Sequence, residues 1–157
     1  MMSAAIKTTS QTNACFSDVK PDADTARQYR ILLAEDDMEM RTLLAHVLKR
    51  SGYEVVACPD GVDMLTHLAA FLMPHDQVHE SFDLIISDIR MPGVTGMEVL
   101  QGKPKRADFP PMILITAFGD DETHARAAQY GVAAMFDKPF DVDELLKKVN
   151  TILLSGE

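Results

Sequence analysis

A chain of 157 residues suits one domain with a sizeable core, and 46% hydrophobic with 25% charged residues is the balance of an ordinary globular protein. A formal charge of −9 argues against nonspecific nucleic-acid binding, which needs Lys and Arg patches, and no apolar run approaches the roughly 18 residues that cross a bilayer. The N-terminus lacks the charged and apolar regions of a secretory signal, and Cys15 and Cys58 form neither a metal spacing nor a CxxC; both read as free thiols in the cytoplasm.

Residues 1–28 are polar and without apolar periodicity, the composition of a disordered tail, with a short docking peptide as the alternative. Ile31-Leu32-Leu33-Ala34 is then a continuous apolar run with the pattern of a doubly buried strand, and it leads straight into Glu35-Asp36-Asp37. Met40, Leu43, Leu44, Val47 and Leu48 recur at helical spacing over about 38–51, and Gly52 follows as a C-terminal cap. Asp37 reads as the cap of this helix in preference to a metal ligand. A second strand over 53–58 ends in Pro59-Asp60-Gly61, turn chemistry opening a helix that carries Met64, Leu65, Leu68 and Leu72. The connection 74–81 contains His75 and His79, four apart; a solvated loop is the simpler reading and a metal site the alternative.

Leu84-Ile85-Ile86 is a third apolar run, and Asp88 stands where it stops, before Pro92 and Gly93 forbid the strand from continuing. Alone, Asp88 reads equally as a helix cap. A short helix follows from near Thr95 with Met97, Val99 and Leu100, ended early by Gly102 and Pro104. Pro110-Pro111 introduces a strand, Ile113 to Ala117, that passes through the hydroxyl of Thr116. Asp120-Asp121 caps a fourth helix ended by Gly131; Met135-Phe136-Asp137-Lys138-Pro139-Phe140 is a last strand that reaches an amine; and Asp141 caps a helix striped with Leu145, Leu146, Val149, Ile152 and Leu153.

Strand and helix alternate five times, which implies a parallel α/β sheet with helices on both faces. If the first and third strands lie side by side, Glu35, Asp36 and Asp88 meet at one sheet edge. Two carboxylates about 4 Å apart repel by roughly 4 kcal/mol at an effective dielectric near 20, so the cluster calls for a cation, and all-oxygen donors suit hard Mg²⁺.

The series Glu35-Asp36, Asp88 with Met91-Pro92 and Gly96 after it, Thr116-Ala117 and Lys138-Pro139-Phe140 resembles the receiver domain of bacterial two-component response regulators over roughly residues 29–156. That resemblance implies a flavodoxin-like doubly wound five-stranded sheet of order 2-1-3-4-5 in a receiver domain of residues 29–157. It further implies that Asp88 accepts a phosphoryl group from a sensor histidine kinase, with Mg²⁺ held by Glu35, Asp36, Asp88 and the backbone carbonyl of Arg90. Thr116, Ala117 and Lys138 would contact the phosphate, and the Lys138-Pro139 bond would be cis. Where many relatives carry an aromatic switch residue this chain has Met135. The chain stops just past the last helix, so the expectation is a stand-alone signalling protein, not an enzyme, that acts on a downstream target or phosphotransfer protein and touches neither nucleic acid nor membrane. A Mg²⁺-dependent phosphohydrolase with an aspartate nucleophile is the alternative; such enzymes usually carry a second acid two residues on, where Arg90 stands here.

Overall fold

Apolar runs of three or four residues become the strands, and the amphipathic segments between them become the helices. The computed structural model describes residues 27–72, 81–105 and 108–155. In chain order these form β1 (Arg30–Ala34), α1 (Met38–Arg50), β2 (Glu54–Cys58), α2 (Gly61–Leu72), β3 (Leu84–Asp88), α3 (Gly96–Gly102), β4 (Met112–Thr116), α4 (Asp121–Gln129), β5 (Ala134–Asp137) and α5 (Val142–Leu154). The five strands pair in parallel in the order β2-β1-β3-β4-β5. This is the doubly wound order expected from the sequence.

Strand burial follows position in that order. β3 and β4 are buried at every residue and β1 at all but its first, whereas the edge strands β2 and β5 are partly exposed. Because side chains alternate across a strand, Leu32, Ala34, Ile85, Met112 and Leu114 fall on one face with Met64, Leu68, Leu100 and Ala127 from α2, α3 and α4. Ile31, Leu33, Ile86, Ile113 and Ile115 fall on the other with Leu44 and Leu48 of α1 and Leu145, Val149 and Leu153 of α5. One sheet therefore separates two apolar layers, and its continuous hydrophobic strands are explained by burial on both faces.

Short polar side chains stop and start the helices. Asp37, Thr95, Asp120 and Asp141 each accept a hydrogen bond from a backbone amide of the first turn, and Thr95 forms a reciprocal capping box with Glu98. The fourth helix is capped by Asp120, with Asp121 already inside it. Gly52 takes φ +98° and its amide donates to the Lys49 carbonyl at 3.0 Å, closing α1 as its position predicted. The third helix is short, seven residues.

Boundaries move by one to three residues. Tyr53 precedes β2, Ala117 lies beyond β4, and β5 ends at Asp137. Arg27 pairs with Asp83, and the Gln28 side chain donates to the Gly52 carbonyl at 3.1 Å, so two residues assigned to the tail touch the domain. The remaining tail expectations, including Cys15, and the His75/His79 connection lie outside the described residues.

The start of α2 is locked against the loop that follows β3. A Cβ on Gly61 would stand 1.8 Å from the Val94 carbonyl oxygen, a backbone atom with no side chain to swing aside. Gly61→Ala should therefore lower stability by about 1–3 kcal/mol, the usual cost of overpacking, despite alanine's better helix propensity. Urea denaturation reads this directly, and an unchanged midpoint would mean that the loop yields freely.

Candidate functional site

Pairing β1 with β3 brings their carboxyl ends together. Ala34 lies opposite Ser87 in the register, which leaves Glu35 and Asp88 as the next residues at the same edge. Both are buried, at 1% and 5% exposure. The Lys138 ammonium, carried in from the end of β5, donates to Glu35 Oε1 at 3.0 Å and to Asp88 Oδ2 at 2.9 Å. The second oxygen of each carboxylate accepts a backbone amide: Arg90 N to Asp88 Oδ1 at 3.1 Å and Asp37 N to Glu35 Oε2 at 3.1 Å. Asp36 is exposed beside them, and one oxygen from each of Glu35, Asp36 and Asp88 lies within 4.8 Å of the others.

One ammonium among three carboxylates leaves negative charge uncompensated. Burial pushes the Glu35 carboxyl up to about 7, against the opposing hydrogen bond from Lys138. Burial also works against the Lys138 charge, but the hydrogen bonds to Asp88 and Glu35 prevail and hold its pKa above the ordinary lysine value. A hard divalent cation fits this donor set, because it is all oxygen, two of its three carboxylates are buried, and it has too little positive charge of its own.

Neighbouring strand ends complete the rim. Thr116 is buried at the tip of β4, where its Oγ1 accepts from the Phe118 amide at 3.1 Å and its carbonyl accepts from the Lys138 amide at 2.7 Å. Ala117 is exposed next to it, and the Lys138-Pro139 peptide is cis. The Arg41 guanidinium donates to the Glu35 carbonyl at 2.8 Å. A Cβ on Gly96 would stand 2.6 Å from the Asp88 carbonyl oxygen, so the glycine lets α3 begin against the strand tip.

Of the residues singled out in the sequence, Glu35, Asp36, Asp88 and Lys138 come together, with Thr116 and Ala117 on the adjoining strand end. Asp37 serves as the cap of α1. Met135 lies opposite Leu114 in the β4–β5 pair, partly buried against the layer that holds Ala127. Arg90 turns its amide toward Asp88 but lays its guanidinium over the Phe118 ring, 4.6 Å from the centroid. Phe118 and Arg41 were not anticipated. Phe118 follows Thr116 by the same two residues that separate Arg90 from Asp88, but equal offsets become a stacked pair only when β3 and β4 are neighbours. Arg41 carries no motif, and only the turn of α1 over β1 reveals it.

Comparison with known proteins gives a consistent result. Residues 31–150 match the family model described as the response regulator receiver domain. The sequence is 34% identical over 125 residues to the uncharacterized transcriptional regulatory protein YbdJ of Bacillus subtilis, across 80% of this chain and 51% of that protein. The chain thus spans about half the length of the curated relatives it matches. Among solved structures, a receiver domain of Francisella response regulator 1452 is similar at TM-score 0.71 and 23% identity, covering 82% of this chain and 98% of that one. The chemotaxis response regulator CheY4 of Vibrio cholerae is similar at TM-score 0.66 and 27% identity, covering 79% and 98%.

The raised Glu35 pKa sets a pH dependence of stability in metal-free protein. Between about 4.5, the ordinary value, and about 7, the folded state binds more protons than the unfolded state. This contribution to stability is fully present below 4.5 and is lost as pH rises through 7. In a chelator-containing buffer Glu35→Gln should flatten that decline, as measured by urea midpoints at several pH values; an identical slope in the variant would assign the decline to other groups.

Proposed function

From the premise that the chain belongs to the response regulator receiver domain family, whose members are signalling phosphoacceptors, we propose that Asp88 accepts a phosphoryl group from the phosphohistidine of a sensor histidine kinase, with Mg²⁺ as cofactor. The observation that carries this reading is the pair of buried carboxylates, Glu35 and Asp88, sharing the one ammonium of Lys138 at 3.0 and 2.9 Å. Glu35, Asp36, Asp88 and the Arg90 main-chain carbonyl would hold the cation, which when bound neutralises charge on the group being transferred.

The chain's own residues then divide the work. A carboxylate oxygen of Asp88 forms the new bond to phosphorus as the bond to the histidine nitrogen breaks, and the imidazole leaves. Lys138 and the Arg90 amide fix the orientation of the carboxylate. Thr116 accepts from the Phe118 amide and so keeps its own hydroxyl proton for a phosphate oxygen, with only a methyl group on Ala117 beside the approach. Because the Lys138 amide is bonded to the Thr116 carbonyl at 2.7 Å, a shift of either strand end toward the phosphate carries the other.

Output through protein contacts suits this charge balance, and we assign it to the surface of α4, β5 and α5, acting on a target or a phosphotransfer protein. The phosphohydrolase alternative is disfavoured at the position two residues after Asp88. There the side chain is Arg90, stacked on Phe118, and not a carboxylate ready to handle a proton.

Two experiments test this reading. Acetyl phosphate with Mg²⁺ should add one phosphoryl group to the wild type, seen as the corresponding gain in intact mass, and none to Asp88→Asn; equal labelling of the variant removes Asp88 from the role. The second concerns Met135, which has more rotamer freedom than an aromatic ring and makes a looser switch. Met135→Tyr should change the ratio of target affinities with and without beryllofluoride by several-fold while leaving the thermal midpoint nearly in place. An unchanged ratio would make Met135 ordinary packing.

A further inference from the structure

A second group of ligand-type atoms stands at the same end of the sheet, across β1 from Asp88. Cys58 ends β2 with its side chain fully buried. Asp63 and His67 belong to α2 and are partly exposed, four residues apart and therefore one above the other on a single helix face. One atom from each, the Cys58 Sγ, an Asp63 carboxylate oxygen and a His67 ring nitrogen, lies within 4.8 Å of the other two. Both helical ligands are well placed. The Asp63 amide donates to the Asp60 side chain at 2.8 Å, which caps this first turn, and the His67 ring stands edge-on to Phe82, centroids 6.2 Å apart at 87°.

We propose that Cys58, Asp63 and His67 form a binding site for a borderline-soft divalent cation of the zinc class, separate from the acidic pocket. Thiolate, imidazole and carboxylate are the three side-chain donors that zinc takes, and three of them leave a fourth tetrahedral position open. Asp63 and His67, being half-exposed, put that open position toward solvent, while the sulfur closes the inner side. The donor sets also sort the ions. Sulfur and nitrogen disfavour Mg²⁺, whereas the all-oxygen cluster around Asp88 suits it. Ligand atoms around zinc stand roughly 3.5 Å apart given bond lengths of about 2.0–2.3 Å, so the three atoms, already within 4.8 Å of one another, would draw together on binding. As the metal–sulfur bond forms, the Cys58 thiol proton passes to solvent. The Cys58 carbonyl accepts the Glu35 amide at 3.1 Å, so an ion held here sits one backbone hydrogen bond from the acidic pocket. Without metal, burial and then the neighbouring Asp63 carboxylate push the Cys58 thiol up to about 12, and a protonated thiol beside that carboxylate is the competing account of the cluster.

Cobalt(II) is the probe, because a thiolate ligand gives it a charge-transfer band in the near ultraviolet. The 157-residue chain is used with Cys15→Ser, which leaves Cys58 as its one thiol, in reductant that does not bind metal and with excess Mg²⁺ to fill the acidic pocket. The expected result is a band that saturates at one equivalent and is displaced by zinc. It should be absent in Cys58→Ser and unchanged in Asp88→Asn, and its Kd should rise at least about tenfold in His67→Gln and in Asp63→Asn, since even outer-shell changes at metal sites cost that much. The proposal is overturned if no band develops, if Mg²⁺ abolishes it, or if both helix variants bind cobalt as the wild type does. His67 and Asp63 are partly exposed, so those two variants keep the test decisive if Cys58→Ser fails to fold, which circular dichroism reads.

Discussion

Glu35 and Asp88 are both buried and share the Lys138 ammonium at 3.0 and 2.9 Å, while Asp36 adds a further carboxylate at the rim. Buried charge is tolerated only when it is paired and hydrogen-bonded, and here the pairing is incomplete in number although each oxygen of Glu35 and Asp88 has a donor. Burial, with the neighbouring Asp88 carboxylate adding to it, pushes Glu35 upward. A pocket so constituted is stabilised by whatever brings positive charge to oxygen donors. The fit to a cation and the acid–base behaviour therefore follow from one arrangement.

That arrangement depends on the sheet more than on any loop. Glu35, Asp88 and Thr116 occupy the ends of three neighbouring parallel strands, β1, β3 and β4, and Lys138 arrives from the fourth in line, β5. Parallel strands all deliver their carboxyl ends to one side, and the switch of direction between β1 and β3 opens the crevice in which the acids stand. Gly96 supports the same edge from outside, its missing side chain allowing α3 to begin against the Asp88 carbonyl.

The two sides of β1 differ in chemistry although they share an edge. On one side the donors are oxygen with an ammonium; on the other, Cys58 brings sulfur beside the Asp63 and His67 of α2. The Glu35 amide bonded to the Cys58 carbonyl joins them through the backbone. Since α2 begins in contact with Val94 in the loop after Asp88, the helix carrying Asp63 and His67 also touches the segment that follows Asp88.

Much of the fold was legible in local chemistry. Ile31 to Ala34, Leu84 to Ile86 and Ile113 to Ile115 are apolar on both strand faces, and only a doubly covered sheet satisfies that pattern. Asp37, Thr95, Asp120 and Asp141 mark helix starts because a short acceptor meets free amides there, and Gly52 marks an end because φ near +98° excludes most other residues. The identities of Glu35, Asp36, Asp88, Thr116 and Lys138 stood out because each is polar where an apolar strand stops. Tertiary structure alone decided which of these would touch. Lys138 is 103 residues from Glu35 and 50 from Asp88, and no local pattern states that its ammonium lies between them. The same holds for Arg90 over Phe118, for Arg41 on the Glu35 carbonyl, and for Cys58 beside Asp63 and His67. Such contacts depend on strand order and on the tilt of helices over the sheet, which the whole core determines and no short segment encodes.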